Sequence, residues 1–405
     1  MSIVKFDDVA NFVNGGAWNQ SEYVDVGIPV VRVSDIHNGT VNLAQCRYLP
    51  VSALVKYSKN KLEKGDLVIC TVGSHPTQPN SVVGRPGIMP ATCEGALLNQ
   101  NAVCIRPKNN KIDKDWLGYL ARSQSMKDHI ISHARGSASQ VRVAISALKD
   151  FEFDLPTINE QKTISFALLS YDNLIENNNR RIAILEEMAQ SLYREWFVNF
   201  RYPGHANQPD GSSDNKDSKP NLIDSPLGPI PEGWEVKRLD DFVTLQRGFD
   251  LPKNKRNEDG GIPIYAASGL TGYHDQVKAK GPGIVTGRSG TLGIVKLVLE
   301  DYWPLNTSLW VKKFGNCTAH YAYYLLDGIG LERFNSGASV PTLNRNDVHG
   351  NPVVAPPNDL IETFENIVSV NHKQINVLKR KNENLKNQRD MLLPKLISGQ
   401  IELKD

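Results

Sequence analysis

The sequence is poor in cysteine, and its five thiols, Cys46, Cys70, Cys93, Cys104 and Cys317, form no C-x-x-C pair. That scatter argues against a disulfide framework or a structural zinc site and predicts reduced thiols. No apolar run approaches the ~18 residues of a membrane span. The start, MSIVKFDDVANF, lacks the basic stretch and apolar core of a secretory signal. Both absences predict a cytoplasmic protein without a membrane partner. Excess charge of one sign is nearly absent too: 46 Lys and Arg against 44 Asp and Glu leave a formal net charge of +2. Such a balance excludes a basic surface over the whole chain but leaves room for a local basic face.

Catalytic signatures are missing as well. There is no G-x-x-x-x-G-K-[ST] phosphate loop, and the nearest stretch, Gly281 to Ser289, has the wrong spacing and Arg288 in place of lysine. There is no H-E-x-x-H, no G-x-S-x-G elbow and no clustered Cys/His set. His129 and His133 are four apart but have no third ligand nearby in sequence. Ala355-Pro356-Pro357-Asn358 lacks the polar residue and the aromatic of a base-methylation motif. The chain is therefore expected to hold no catalytic residue, no metal and no cofactor.

What is present is a repeat. Ser137-Ala138-Ser139-Gln140-Val141-Arg142 lies 200 positions before Gly337-Ala338-Ser339-Val340-Pro341-Thr342, and Pro156 lies 200 before Pro356. Phe6-Asp7-Asp8-Val9 matches Leu239-Asp240-Asp241-Phe242, and Leu98-Asn99 is set against Leu305-Asn306. So long a period excludes a solenoid and means two copies of a whole domain with a helix. The short apolar runs Ile28-Pro29-Val30-Val31 and Asp66 to Cys70, bounded by Gly, Asn and Lys, read as strands. Gly261 to Ile264 and Gly283 to Val285 repeat them, and helical spacing occurs at Trp116 to Leu120 and Tyr321 to Leu326. The expected class is α+β, with two β-rich mixed domains separated by two long helices in an antiparallel coiled coil of internal pseudo-two-fold symmetry. The boundaries are 1–156 for the first domain, 157–200 for its helix, 201–232 for a Pro/Gly/Ser-rich linker, 233–356 for the second domain and 357–405 for the second helix and tail.

The two helices share a seam. Ile164, Leu168, Tyr171, Ile175, Asn178, Ile182, Leu185, Ala189, Leu192 and Trp196 step by four and three, and so do the positions 200 later, from Phe364 to Leu396. That is a heptad repeat sustained over more than four heptads. A self-complementary pairing sets residue n against 560 − n, which puts Asn178 opposite Asn382 as a register-fixing pair and Ile182 opposite Leu378. Pro394 is expected to end or kink the second helix near Leu393.

Three kinds of segment suit nucleic acid. The first is the Ser/Gly-rich loop before each helix, with Arg135, Ser137, Ser139, Gln140 and Arg142 in one copy and Ser339, Thr342, Asn344 and Arg345 in the other. Small residues let backbone approach phosphates, Arg suits guanine and Asn or Gln suit adenine. The second is the turn Thr286-Gly287-Arg288-Ser289-Gly290-Thr291; in its place the first copy starts from Thr71 and continues through Ser74 and His75 to Asn80. The third is the basic loop with Arg247, Lys253, Lys255 and Arg256, whose counterpart, Asn14 to Gln20, is uncharged.

With these residues assembled, the chain resembles the specificity subunit of type I restriction-modification systems, over essentially all of its length. The resemblance rests on Ile230-Pro231-Glu232-Gly233-Trp234-Glu235-Val236, on Gly287-Arg288-Ser289-Gly290-Thr291 and on Leu155-Pro156 before Asn159-Glu160-Gln161-Lys162. It rests also on Leu192-Tyr193-Arg194-Glu195-Trp196-Phe197 and Phe200-Arg201-Tyr202-Pro203-Gly204. It implies two target-recognition domains, each reading half of a split double-stranded DNA site, with the helices as a ruler. It implies two methyltransferase subunits that bind S-adenosylmethionine and methylate adenine, and two restriction subunits that use ATP and Mg; the chain itself is non-catalytic. The first copy departs from the pattern by lacking the Gly-Arg-x-Gly-Thr turn. The competing readings are a coiled-coil scaffold that reads no DNA and a stand-alone DNA-modifying enzyme. Tyr193, Trp196, Phe197 and Phe200 serve either as an anchor for a partner subunit or as packing against a recognition domain.

Overall fold

The computed structural model describes residues 2–37, 39–78, 81–137, 140–204 and 220–403. The chain divides into two compact units, Met1–Glu176 with Asn382–Asp405, and Asn177–Lys381. Each unit therefore contains part of both long helices.

In the first unit the central antiparallel strands run in the order Ala10–Asn14, Ala102–Pro107, Leu67–Cys70 and Pro86–Ile88. Leu67–Cys70 is apolar and buried throughout because it has a neighbour on each side and side chains packed over both faces. Gly39–Val41, parallel to Pro86–Ile88, and Ile36–His37 extend this sheet. The second unit has the same order in Val243–Arg247, Ser308–Phe314, Gly283–Gly287 and Val295–Val298. The register repeats as well: Val103 pairs with Asn14 and Ile69, and Leu309 pairs with Arg247 and Thr286.

A second, smaller sheet recurs. Ile28–Val31 runs parallel to Leu97–Leu98, and Ile262–Ala266 parallel to Trp303–Pro304. In each unit the strand before the Asp-Asp turn pairs with the strand before the long helix, Ser2–Lys5 with Glu152–Leu155 and Glu235–Arg238 with Pro352–Ala355. The matched Asp-Asp turns do the same job: Asp8 accepts from the Lys5 N–H at 3.0 Å and Asp241 from the Arg238 N–H at 3.1 Å.

The hydrogen bonds correct one sequence match. Gly16 N–H donates to the Leu98 carbonyl at 2.7 Å and Phe249 N–H to the Pro304 carbonyl at 2.8 Å. Asn99 therefore corresponds to Leu305, one residue from the expected pairing. A Cβ added at Gly15 would lie 1.9 Å from the Asn99 carbonyl oxygen, and one at Gly248 2.2 Å from that of Leu305. Both close approaches require glycine.

The first long helix is Ile158–Tyr193, widening into a π turn over Arg194–Val198, and the second is Asn358–Ile397. In the first unit Ile164 and Leu168 share a core with Leu393 and Leu396, and Arg389 bonds to Asp172. In the second, Ile182 clusters with Ile375 and Leu378, and Lys379 reaches Glu186 at 3.1 Å. Within each unit the segments are thus antiparallel, as a paired heptad seam demands. Asn178 and Asn382 are both buried, and the Asn382 amide donates to the Ile175 carbonyl at 3.5 Å. Pro394 does not end the helix, which continues to Ile397. Burial of Leu393 and Leu396 on either side of it outweighs the lost backbone bond.

The end of the expected linker is ordered. Leu222–Ile223 pairs with Ile230–Pro231, and Ile230 and Trp234 join the second unit's core; residues 205–219 lie outside the described residues. Trp196 and Phe197 are buried in that core, with Tyr193 and Phe200 packed against it. Phe364 is fully buried among Tyr193, Trp196, Phe197 and Tyr324. These aromatics belong to intramolecular packing, each fully buried one stabilising by about 1.5–3 kcal/mol.

Where a domain meets its helix segment, the two units use different chemistry. Tyr119 donates to Asp172 at 2.8 Å, and Arg122 and Arg389 flank that carboxylate. In the second unit Tyr324 meets His372 at 2.9 Å, and His320 meets Glu365 at 2.7 Å. Burial and the adjacent His320 push the His372 imidazole down to about 4. Burial opposes ionisation of Glu365, but its bond to His320 holds the carboxyl below its usual value.

Candidate nucleic-acid interface

In the second unit three loops meet where strand Gly283–Gly287 ends. Arg288 N–H donates to the Thr307 carbonyl at 2.9 Å, and the Arg288 carbonyl accepts from Leu343 N–H at 2.8 Å. Ser289 bridges to Thr342, and Gly290 N–H donates to the Pro341 carbonyl at 2.9 Å. The Gly-Arg-Ser turn and the Ser/Gly-rich loop, separate in sequence, thus form one surface. The turn needs its first glycine, since a Cβ at Gly287 would lie 1.7 Å from the Thr291 carbonyl oxygen.

The first unit builds the same frame around another residue. Thr71 N–H donates to the Asn101 carbonyl at 2.8 Å, and the Thr71 carbonyl accepts from Val143 N–H at 3.0 Å. Val72 pairs with Arg142, as Ser289 does with Thr342. Thr71, 7% exposed, therefore stands where Arg288 stands, not where Thr286 does. The longer connection of the first unit is the loop that begins at Ser74. There Ser74 accepts through its carbonyl from the Ser81 hydroxyl at 2.7 Å, and His75 Nδ1 meets the Thr77 hydroxyl at 2.8 Å.

The remaining sequence candidates fall into distinct settings. Arg135 and Arg142 are cross-strand partners and both exposed. Paired positions share one face of the hairpin. Arg135 also donates through Nη1 to the Ser132 and Ala134 carbonyls at 2.9 and 3.2 Å, closing helix Gln124–His133. Gln140 is exposed beside them opposite Ser137, and Ser139 lies outside the described residues. Asn344 accepts from Asn346 N–H at 3.1 Å as the cap of helix Arg345–His349, so its oxygen is committed to the backbone. Arg345 and Ser339 are exposed, and the Thr342 hydroxyl donates to the Val340 carbonyl at 3.0 Å.

In the basic loop, Lys253 and Lys255 are exposed on a short 3-10 turn, whereas Arg256 is half-buried and donates to the Thr271 carbonyl at 3.1 Å. Arg247 sits 3.7 Å from Asp250. Arg288 is half-buried, donates through Nη1 to the Asn306 carbonyl at 3.3 Å, and pairs with no carboxylate among the described residues. Asp250 and Asn306 were not marked by the sequence; only the backbone pairing of Phe249 with Leu305 brings them together.

Among the described residues no group of three or more His, Cys, Asp and Glu could hold a metal, and no helix is long and apolar enough to cross a membrane. Burial pushes the Cys70, Cys104 and Cys317 thiols up to about 12, which makes them poor nucleophiles at neutral pH.

Residues 1–187 and 231–380 match the family model of the type I restriction modification DNA specificity domain. The chain is 26% identical over 337 residues to the type I restriction enzyme MjaIX specificity subunit of Methanocaldococcus jannaschii, covering 76% of this chain and 73% of that one. It is 25% identical over 260 residues to the putative MjaX specificity subunit of the same organism, spanning 56% of that relative's length. The solved S subunit of the type I restriction-modification system from M. genitalium shares the fold, with a TM-score of 0.62 at 18% identity over 100% of this chain and 96% of that one. With two matched regions that together exceed half its length, the chain belongs to the type I restriction modification DNA specificity domain family.

Proposed function

We propose that this chain is the sequence-reading DNA subunit of a type I restriction-modification complex, non-catalytic itself. Its partners are double-stranded DNA, two methyltransferase subunits that bring S-adenosylmethionine, and two restriction subunits that bring ATP and Mg. The first recognition domain reads one half of an asymmetric split site, the second reads the other, and the long helices set the spacer. The observation that carries this reading is the pair of equivalent positions Thr71 and Arg288, one backbone frame holding different side chains at the loop end of the sheet. A scaffold that reads no DNA has no need of that divergence.

The test is methylation mapping in cells carrying the chain with its partner subunits. An interrupted, asymmetric target with modified adenine is expected; a contiguous target, or none, overturns the reading. Adding seven residues to both helices lengthens each by about 10 Å. The spacer should then widen by about three base pairs at 3.4 Å per step, and an unchanged spacer rejects the ruler.

A further inference from the structure

At the loop end of the second unit's sheet, four polar residues are linked in a row, one link passing through the Asn306 main chain. Arg288 Nη1 donates to the Asn306 carbonyl at 3.3 Å, the Asn306 amide donates to Asp250, and Asp250 lies 3.7 Å from Arg247. The row is held on rigid backbone. Arg288 is bonded on both sides, Asn306 N–H donates to the Phe249 carbonyl at 3.0 Å, and Phe249 packs beside Trp303 and Trp310 with Lys278 over two of the three rings. The Arg247 and Asp250 side chains are 52% and 72% exposed, so the row opens to solvent.

The first unit has the same backbone positions with other chemistry. Asn14 stands for Arg247, Thr71 for Arg288 and Gln100 for Asn306, as the shared pairings show. No charge of either sign remains at these positions. The difference is therefore not a basic patch gained in the second unit but an acid gained with two arginines.

That combination decides between two uses of arginine. A phosphate-holding site gains nothing from a carboxylate, which repels the anion. A G·C base pair presents guanine N7 and O6 acceptors beside a cytosine N4 donor in the major groove. Arginine matches the first and aspartate the second. We infer that Arg247, Asp250, Asn306 and Arg288 form a reader of a G·C base pair in the half-site of the second unit. The first unit reads its half-site without this contact. The inference rests on the DNA-reading function proposed above.

The test uses the full chain assembled with its methyltransferase subunits and the duplex found by methylation mapping, with guanines replaced one at a time by 7-deazaguanine, which lacks the N7 acceptor. One guanine in one half-site should weaken binding roughly 10- to 100-fold when replaced. That sensitivity should vanish in Arg288→Ala or Arg247→Ala, and the other half-site should be unaffected. The substituted duplex needs no altered protein, so misfolding of a variant cannot mask the answer. Asp250→Asn should lower discrimination against pairs that lack the cytosine amino group. If Arg288→Ala weakens cognate and unrelated duplexes alike and lowers the salt slope by about one, the residue holds phosphate and the inference fails while DNA reading stands. If no guanine is sensitive although binding is site-specific, it fails in the same way. Absence of any site-specific binding overturns both readings.

Discussion

Where the second unit carries Arg288, the first carries Thr71, and the two residues make the same pair of backbone hydrogen bonds. At the junction with the long helices the contrast is similar: Tyr119 meets an aspartate between two arginines, and Tyr324 meets a histidine. In both places the main chain is repeated while a side chain differs: Thr71 for Arg288, and Asp172 for His372 opposite a shared tyrosine. Backbone bonds are indifferent to side-chain identity, so two copies of a fold can drift apart in charge while their strands keep register. What a comparison of two such copies can teach is which positions belong to the frame and which are free to change.

The largest expected difference between the units lies in their cores. Phe364 and Ile164 occupy the same seam position, but Phe364 sits among four aromatic rings. Phe364→Ala should cost about 3–5 kcal/mol and Ile164→Ala about 2–4, measured by urea unfolding. Equal losses would mean that the aromatic cluster adds no more than an aliphatic seam residue.

An intermediate effect should come from pH. His372 is held at about 4 by burial and by His320, with Tyr324, Glu365 and Lys379 as its other neighbours. A lowered histidine pKa means that the unfolded chain binds the proton more readily, so stability is full above ~6.5 and is lost as pH falls toward 4. Glu365, also depressed, contributes in the same direction below its ordinary range. The second unit should lose on the order of 2 kcal/mol between pH 7 and 4 from the histidine, discounted for partial exposure. His372→Gln should flatten that slope in urea titrations, and an unchanged slope would remove His372 as its source. The equivalent position in the first unit holds Asp172, which has no imidazole to charge.

The smallest effect separates Arg142 from Thr342, which take equivalent places in the two loops. Arg142→Ala should weaken DNA binding by about 1 kcal/mol and lower the salt slope by about one, whereas Thr342→Ala leaves the slope unchanged. Identical slopes for both variants would remove Arg142 from the phosphate contacts.

Much of the frame was legible in the sequence because it is local. The Asp-Asp turn at Phe6 to Val9, the Pro before each helix and the heptad seam each lie within one element. The Thr71 correspondence was not legible, because the longer connection beginning at Ser74 shifts the alignment and only long-range bonds to Asn101 and Val143 restore it. The helix end expected near Leu393 comes instead at Ile397, because helix-breaking at Pro394 is a local cost set against burial of Leu393 and Leu396. For the candidate site, composition singled out loops but could not tell an arginine that closes a helix, Arg135, from one that is exposed on its strand, Arg142. Nor could it find Asp250 and Asn306, which meet only across the paired loops.

The doubled hydrogen bonding at Arg288 has a consequence for how such a molecule changes over time. Its main chain is secured by Thr307 and Leu343, neither of which touches it through the guanidinium. The two backbone bonds do not depend on the side chain, as the threonine in the other unit illustrates, and exchange removes only the guanidinium's bond to the Asn306 carbonyl. On the proposed reading, substitution there changes the half-site that the second unit recognises while the backbone bonds to Thr307 and Leu343 remain.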